Sequence, residues 1–140
     1  MIIVGGGPLG LEFAQMYSRF GTKVTVLQRG QRVIPDHEPE ISEALSHYLS
    51  DEGIEIITGV EIKEVYEKNG LKFITASRNN EKKNNEKAQT QTFEAEQLLM
   101  ATGRKPNTAD LYLENAGVKV KENHGAIIVE NLTSSRKIGS

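Results

Sequence analysis

The pattern of apolar and polar positions changes twice within the first twenty-one residues. Residues 2–4 form a continuous apolar run, which predicts a buried strand. A glycine-rich stretch over residues 5–10 follows. Apolar positions then recur at the spacings of three and four that are typical of a helix: Leu9, Phe13, Met16, Tyr17 and Phe20. We therefore predict a strand, a glycine turn and a helix that packs this stripe under a sheet and ends at Gly21.

Two further segments continue the alternation of strand and helix. Residues 23–27 predict a second strand, and residues 54–57 predict a third. A helix is predicted between them, from Pro39 in its first turn to Gly53 as its stop. The apolar stripe of this helix is Ile41, Ala44, Leu45, Tyr48 and Leu49. Such a β-α-β-α-β series argues for a parallel sheet, to which the apolar run at residues 98–102 adds a fourth strand.

From Val60 onwards the pattern indicates antiparallel strands. Residues 62–66 and 71–76 flank Asn69-Gly70, a strong signal for a hairpin turn, and residues 89–94 predict a third strand that pairs with them. No apolar side chain occurs over residues 78–87, so we expect a flexible hairpin tip over residues 78–88.

The last part of the chain predicts a helical turn over residues 111–114. It also predicts a small hairpin in which residues 118–120 pair with residues 126–129 through Asn123-His124-Gly125. The expected fold class is α/β, a Rossmann-like domain whose central parallel sheet is crossed over by an antiparallel β-meander. A chain of 140 residues favours a single domain over residues 1–140.

The glycine turn carries the main candidate chemistry, because Gly5, Gly7 and Gly10 have the G-x-G-x-x-G spacing between a strand and a helix. Gly5 allows the tight turn, Gly7 lets backbone approach a pyrophosphate, and Gly10 allows close packing of helix on strand. Pro8 fits the first helical turn, whose free N–H groups attract phosphate. We therefore predict dinucleotide binding at this turn, with Leu9 in the same cradle.

The residues that follow the second predicted strand bear on the choice of dinucleotide. An acidic residue at this distance from the glycines holds the ribose 2′-hydroxyl of NAD, whereas arginine accommodates the 2′-phosphate of NADP. This chain has Gln28 there, with Arg29 and Arg32 close by, and no carboxylate that would repel the phosphate. The pattern favours NADPH and leaves NADH open.

Composition excludes several other classes of function. The net charge of −2 gives no electrostatic footprint for nucleic acid or for an anionic membrane. No apolar stretch has the length of a membrane span and no signal peptide is evident, so we expect a cytoplasmic protein. The chain contains no cysteine, and its three histidines are scattered without metal-ligand spacing. We expect no metal site and no catalytic residue in this chain.

Three stretches together resemble the pyridine nucleotide-disulfide oxidoreductases, a family that includes mercuric reductase, dihydrolipoamide dehydrogenase and glutathione reductase. They are residues 3–12 (IVGGGPLGLE), residues 21–26 (GTKVTV) and above all residues 101–108 (ATGRKPNT). The resemblance covers nearly the whole chain. It implies an NAD(P)H-binding domain excised from a larger flavoprotein, in which hydride passes from NAD(P)H to FAD to reduce a disulfide or a metal ion.

The resemblance also implies roles for particular residues and partners. Glu12 is expected near the nicotinamide end of the cofactor, and it would also suit the positive end of a helix in its first turn. Gly103, with Thr102 and Arg104 beside it, is expected near the flavin and the domain junction. The partner implied is the flavin-binding domain of the same polypeptide, within a homodimeric full-length enzyme. FAD is not expected to bind these residues alone, because the flavin-binding glycine motif, the redox-active cysteine pair and the dimerisation domain of the family have no counterpart in them.

Two other functions are compatible with a strand, a glycine turn and a helix. The first is a freestanding dinucleotide-binding or sensing module without catalysis, since the chain is short and is still expected to fold on its own. An S-adenosylmethionine-dependent methyltransferase is the second, and the ATGRKPN stretch and the antiparallel segment argue against it. The third glycine, Gly10, is commoner in the relatives that use NAD, which is a further reason to leave NADH open.

Overall fold

A computed structural model describes residues 1–78, 89–122, 125–130 and 133–134. The chain divides into two compact units, Met1–Gly103 and Arg104–Ser140, which we describe separately. A single domain over residues 1–140 stays a prediction. The elements of the first unit, in chain order, are β1 (Ile2–Val4), α1 (Pro8–Arg19), β2 (Thr25–Leu27), α2 (Pro39–Asp51), β3 (Glu55–Ile57), β4 (Val60–Lys68), β5 (Leu71–Arg78), β6 (Gln89–Ala95) and β7 (Leu98–Met100).

The central sheet has four parallel strands in the order β3-β2-β1-β7. Its middle strand β1 is buried at every position, because both faces of the sheet are covered. Ile3 packs in a core with residues of the two helices, whereas Ile2 and Val4 pack in a second core with residues of the other strands. The parallel sheet and its four predicted strands are confirmed.

A three-stranded antiparallel meander in the order β4-β5-β6 supplies the second core. Asn69 and Gly70 form its first turn with φ angles of 54° and 79°, the left-handed values that a two-residue hairpin requires. Val60, Ile74 and Ala76 are its buried core positions. The meander is confirmed. The tip predicted over residues 78–88 lies, apart from Arg78 at the end of β5, outside the described residues.

Helix α1 packs a different face than its apolar stripe predicts. Its buried residues are Gly10, Leu11 and Ala14, whereas Leu9 is 44% exposed and Phe20 is 77% exposed. Met16 is also exposed, and only Phe13 and Tyr17 of the predicted stripe are packed against the core. The predicted stripe is therefore wrong in part, since the small residues of the helix, which permit the closest approach to the sheet, face inwards.

A similar correction applies to α2. Its buried residues are Ser42 and Leu49, and Leu45 packs against the core, but Ile41, Ala44 and Tyr48 are exposed. Ser42 can face the core because its Oγ donates a hydrogen bond of 2.8 Å to the carbonyl oxygen of Val33. This bond holds the helix against the segment that follows β2.

The two helices are also joined at their carboxyl ends. The guanidinium of Arg19 donates two hydrogen bonds to the Glu52 carboxylate, at 3.0 and 2.8 Å, and these bonds hold the pKa of that carboxyl below its usual value. Gly21 and Gly53, the predicted helix stops, have φ angles of 86° and 83°. Both helices therefore end where the sequence predicts, with left-handed glycines after the last turn.

The second unit contains a 3₁₀ helix (Leu113–Ala116) and two short strands, β8 (Val129–Glu130) and β9 (Thr133–Ser134). Val120 and Ile127 form an isolated antiparallel bridge, which confirms the predicted pairing of residues 118–120 with residues 126–129. Residues 123 and 124 of the predicted turn lie outside the described part of the chain. The helical turn lies two residues later than predicted.

Removing the Ser42 hydrogen bond tests whether it holds α2 against the segment that follows β2. We expect Ser42→Ala to lower the free energy of unfolding by about 1–3 kcal/mol, because the buried carbonyl of Val33 loses its donor. Ser46→Ala is the matched control, since the Ser46 hydroxyl only bonds back to Ser42 within the helix. Urea unfolding measures both variants. Equal losses would contradict a special role for Ser42.

Candidate functional site

The glycine turn, residues 5–10, lies at the carboxyl edge of the central sheet. The Gly5 N–H donates to the carbonyl of Leu27 at 2.9 Å, and the Ala101 N–H donates to the carbonyl of Val4 at 2.8 Å. The turn is therefore flanked by the ends of β2 and β7. Ligands of open α/β sheets bind at this edge, beyond the carboxyl ends of the strands.

Two glycines of the motif are required by packing. Gly5 has a φ of 115°, and a Cβ there would fall on the carbonyl oxygen of Ala101. A Cβ on Gly10 would fall on the carbonyl oxygen of Gly5. These close approaches fit the steric roles that the sequence predicts for both residues. They bring the first turn of α1 directly onto the end of β1.

Gly7 is different, because no atom of the described residues, apart from its two chain neighbours, lies within 4 Å of the position that its Cβ would occupy. It is the residue before α1 and has a φ of −79°, which any residue adopts, so neither packing nor conformation explains a glycine there. Pro8 occupies the first helical position, and the N–H groups of Leu9 and Gly10 belong to the first turn, which has no intrahelical acceptor for them. The site therefore combines open space with the positive end of a helix.

Gly6 makes contacts at this edge of the sheet that the sequence analysis did not predict. Its N–H donates to Oε1 of Gln28 at 3.0 Å, and its carbonyl accepts from the N–H of Ile34 at 2.8 Å. A Cβ on Gly6 would lie 3.1 Å from both Cβ of Gln28 and Cγ1 of Val33. The signal for this contact is a third consecutive glycine, between two that the motif already explains.

The two arginines that the sequence groups together have different surroundings. Nη2 of Arg32 donates to the carbonyl oxygens of Pro35 and His37, at 2.9 and 3.2 Å. Arg29 is exposed, and within the described ranges its guanidinium has no hydrogen-bond or ion-pair partner. Arg29 is thus free to pair with an anionic ligand, whereas one nitrogen of Arg32 already supports its own loop.

Glu12 is exposed on α1 but lies beyond the first turn, which contains no acidic residue. The expectation that it would stabilise the helix from that turn is therefore wrong, because the helix begins at Pro8 and Glu12 is its fifth residue. Its predicted place near a nicotinamide stays a prediction.

The segment after β7 reaches the same edge of the sheet. The backbone nitrogen of Thr102 lies 3.2 Å from the position of a Cβ on Gly5, and Gly103 has a φ of 128°, a value that favours glycine. Arg104 is exposed and begins the second unit. The predicted site residues that the structure brings to one edge of the first unit are Gly5, Gly7, Pro8, Leu9, Gly10, Gln28 and Thr102.

Other kinds of site in the described part of the chain would be metal clusters, membrane-spanning helices and clefts. No group of three potential metal ligands occurs among its residues. None of its helices combines the length and apolar character needed to cross a membrane. A cleft of about 380 Å³ lies within the second unit, between the 3₁₀ helix and the bridge at Val120, but no buried charged side chain lines it.

Comparison with known proteins covers almost the whole chain. Residues 1–138 match the family described as pyridine nucleotide-disulphide oxidoreductase. The chain is 39% identical over 135 residues to a mercuric reductase of Staphylococcus aureus, which covers 96% of this chain and 23% of that protein. It is 32% identical over 130 residues to a dihydrolipoyl dehydrogenase of Geobacillus stearothermophilus, which covers 93% of this chain and 26% of that enzyme.

Solved structures give a consistent comparison. The Cu(II) complex of the flavoprotein disulfide reductase RclA of Escherichia coli has a TM-score of 0.75 and 30% identity, covering 97% of this chain and 29% of that one. An engineered water-forming NADPH oxidase bound to NADPH has a TM-score of 0.72 at 22% identity, which shows a shared fold alone. The chain spans about a quarter of the length of the relatives that it matches.

The close approach of Gly10 to the Gly5 carbonyl can be tested by adding a side chain at Gly10. Helix propensity alone favours Ala over Gly by about 0.8–1.0 kcal/mol. We nevertheless expect Gly10→Ala to destabilise the chain by about 1–3 kcal/mol, because its methyl group meets the Gly5 carbonyl. Gly7→Ala is the control, with a loss below about 1 kcal/mol for a changed helix cap. Thermal unfolding measures both, and a Gly10→Ala chain as stable as wild type would contradict the contact.

Proposed function

Since the chain belongs to the pyridine nucleotide-disulphide oxidoreductase family, we propose that it is the NAD(P)H-binding domain of an FAD-dependent oxidoreductase. One observation carries the proposal. Gly5 and Gly10 are glycines because the fold leaves no room for a side chain, but Gly7 is a glycine beside open space. A ligand that passes close to the backbone at Gly7 accounts for that difference, and a pyrophosphate is the ligand for which this motif is suited.

The residues at the sheet edge fit a dinucleotide. The first-turn N–H groups of α1 would donate to the pyrophosphate oxygens, and the helix dipole would favour their negative charge. Thr102 and Gly103 border the same edge from β7. Bound NAD(P)H would supply the hydride that reduces FAD, and the reduced flavin would serve the reduction of a disulfide or a metal ion. This chain contributes binding and orientation to that reaction.

The remaining chemistry belongs to other parts of the proposed enzyme. The chain has no cysteine, so it supplies no thiol for disulfide exchange. We propose that FAD and the redox-active thiols are held by a flavin-binding domain of the same polypeptide, in a homodimeric enzyme. The chain spans only about a quarter of its relatives, which leaves room for those parts.

For the dinucleotide we propose NADPH. Arg29 is exposed and its guanidinium is unpaired among the described residues, and no carboxylate occupies position 28 to repel a 2′-phosphate. A guanidinium pairs well with phosphate because its planar donors match two phosphate oxygens. NADH lacks that phosphate and would gain nothing from Arg29.

Gly7 gives the direct test of the cradle. We expect Gly7→Val to weaken binding of NADPH and NADH by more than roughly 100-fold, or about 2.8 kcal/mol, because its side chain fills the open space. Gly7→Ala, with one methyl group, should give a smaller loss. Titration calorimetry measures the affinities, and the melting temperature checks the fold. Unchanged affinity in Gly7→Val would refute the cradle.

Arg29 gives the test of dinucleotide choice. Since a hydrogen bond to a charged group is worth about 1.5–3 kcal/mol, we expect Arg29→Gln to weaken NADPH binding by roughly 10- to 100-fold and to leave NADH binding nearly unchanged. Arg32→Gln removes the same charge from a side chain that already bonds two backbone carbonyls. It should change the ratio of the two affinities much less. An equal effect of Arg29→Gln on both dinucleotides would remove its proposed role.

A further inference from the structure

The side chain of Gln28 is already engaged at both of its polar atoms. Oε1 accepts the Gly6 N–H at 3.0 Å, and Nε2 donates to the carbonyl oxygen of Arg32 at 3.2 Å. The amide therefore bridges the glycine turn and the loop that follows β2.

The backbone of Gln28 fixes the direction of this bridge. Its N–H donates to the carbonyl of Ile57 at 2.8 Å, and its carbonyl accepts from the N–H of Val60 at 3.2 Å. The first bond joins Gln28 to the last residue of β3, and the second joins it to the first residue of β4. With its main chain held on that side, the side chain points towards Gly6.

Gly6 is held from the same segment at both of its backbone groups. Oε1 of Gln28 accepts a hydrogen bond from the Gly6 N–H, and the Ile34 N–H donates to the Gly6 carbonyl at 2.8 Å. The side chains of Gln28 and Val33 lie so close that any Cβ on Gly6 would press on them. We call the three residues Gly6, Gln28 and Ile34 the Gly6 clamp. The residue held by this clamp directly precedes Gly7.

We propose that Gln28 is a positioning residue, which holds Gly6 through its side-chain amide and so fixes the backbone of the phosphate-binding turn. The inference rests on the proposed function, because it assigns Gln28 to the pyrophosphate part of that site instead of to the ribose. The pyrophosphate is common to NADPH and NADH. Loss of the amide therefore weakens both dinucleotides alike, and the choice between them stays with Arg29.

A residue that reads the ribose behaves differently. It contacts the one group in which the two dinucleotides differ, so its substitution changes the ratio of the two affinities. A positioning residue changes both affinities by the same factor. It also changes the hydrogen bonding of the residue that it holds, even when no ligand is bound. The two roles therefore differ in two separate measurements.

The test compares Gln28→Met with Gln28→Glu in the full 140-residue chain. Methionine keeps the length of the side chain and removes both hydrogen bonds, whereas glutamate keeps an acceptor for Gly6 and loses the donor to Arg32. Amide hydrogen exchange at Gly6, measured by NMR without ligand, reports the clamp. Titration calorimetry with NADPH and NADH reports its effect on binding.

We expect exchange at Gly6 to become roughly tenfold faster in Gln28→Met and to stay close to wild type in Gln28→Glu, which retains the acceptor. In Gln28→Met both dinucleotides should bind roughly 5- to 10-fold more weakly, with their ratio unchanged within about twofold. A changed ratio together with unchanged Gly6 exchange would overturn the proposal.

Failure of the inference is distinguishable from failure of the proposed function. If the wild-type chain binds neither dinucleotide, the proposed function fails, whatever the variants do. If wild type binds and Gln28→Met binds both dinucleotides as tightly as wild type, the positioning role fails alone. Should Gln28→Met not fold, Gln28→Ala takes its place, since it also removes the acceptor for Gly6. Gly6 exchange as slow as in wild type overturns the clamp in that variant, and faster exchange supports it.

Discussion

The contact between Gly10 and the carbonyl of Gly5 is the constraint on which the rest of the first unit depends. With no side chain between them, α1 approaches the end of β1 as closely as a helix can. This approach sets the rotation of the helix, so that Gly10, Leu11 and Ala14 face the sheet and Leu9 and Met16 are exposed. It also places the first turn of the helix, whose N–H groups have no intrahelical acceptor, at the carboxyl edge of the sheet, which is where open α/β sheets generally bind ligands.

The sheet edge is supported by packing on both faces of β1. One face of the strand packs on the helices and the other on the meander, so its three residues are buried together. A hydrogen bond to the last residue of β2 then holds Gly5, and a hydrogen bond from Ala101, which follows β7, holds the end of β1. The open space at Gly7 is therefore bounded by backbone that packing keeps in place, which is what a preformed phosphate site requires.

Most of the fold could be predicted from the sequence, because the spacing of apolar residues and the turn residues that end each element are local signals. The four parallel strands, the hairpin at Asn69-Gly70 and both helix stops follow from them. The faces of the helices could not be predicted in the same way. In α1 two sets of positions have helical spacing, the predicted stripe and the buried set of Gly10, Leu11 and Ala14, and the contact of Gly10 with Gly5 favours the second. The Gly6 clamp could be predicted only in part. A third consecutive glycine signals a close contact, but nothing in the sequence identifies its partner as a glutamine 22 residues away.

The most direct test of a dinucleotide cradle at this edge is an NMR titration of the ¹⁵N-labelled chain with NADPH. Saturable shifts should concentrate at the backbone amides of Gly7, Leu9 and Gly10 and at Thr102 beyond β7, because these groups lie at the same edge of the sheet. Saturable shifts confined to residues 104–134, or no shifts at a saturating concentration of NADPH, would contradict it.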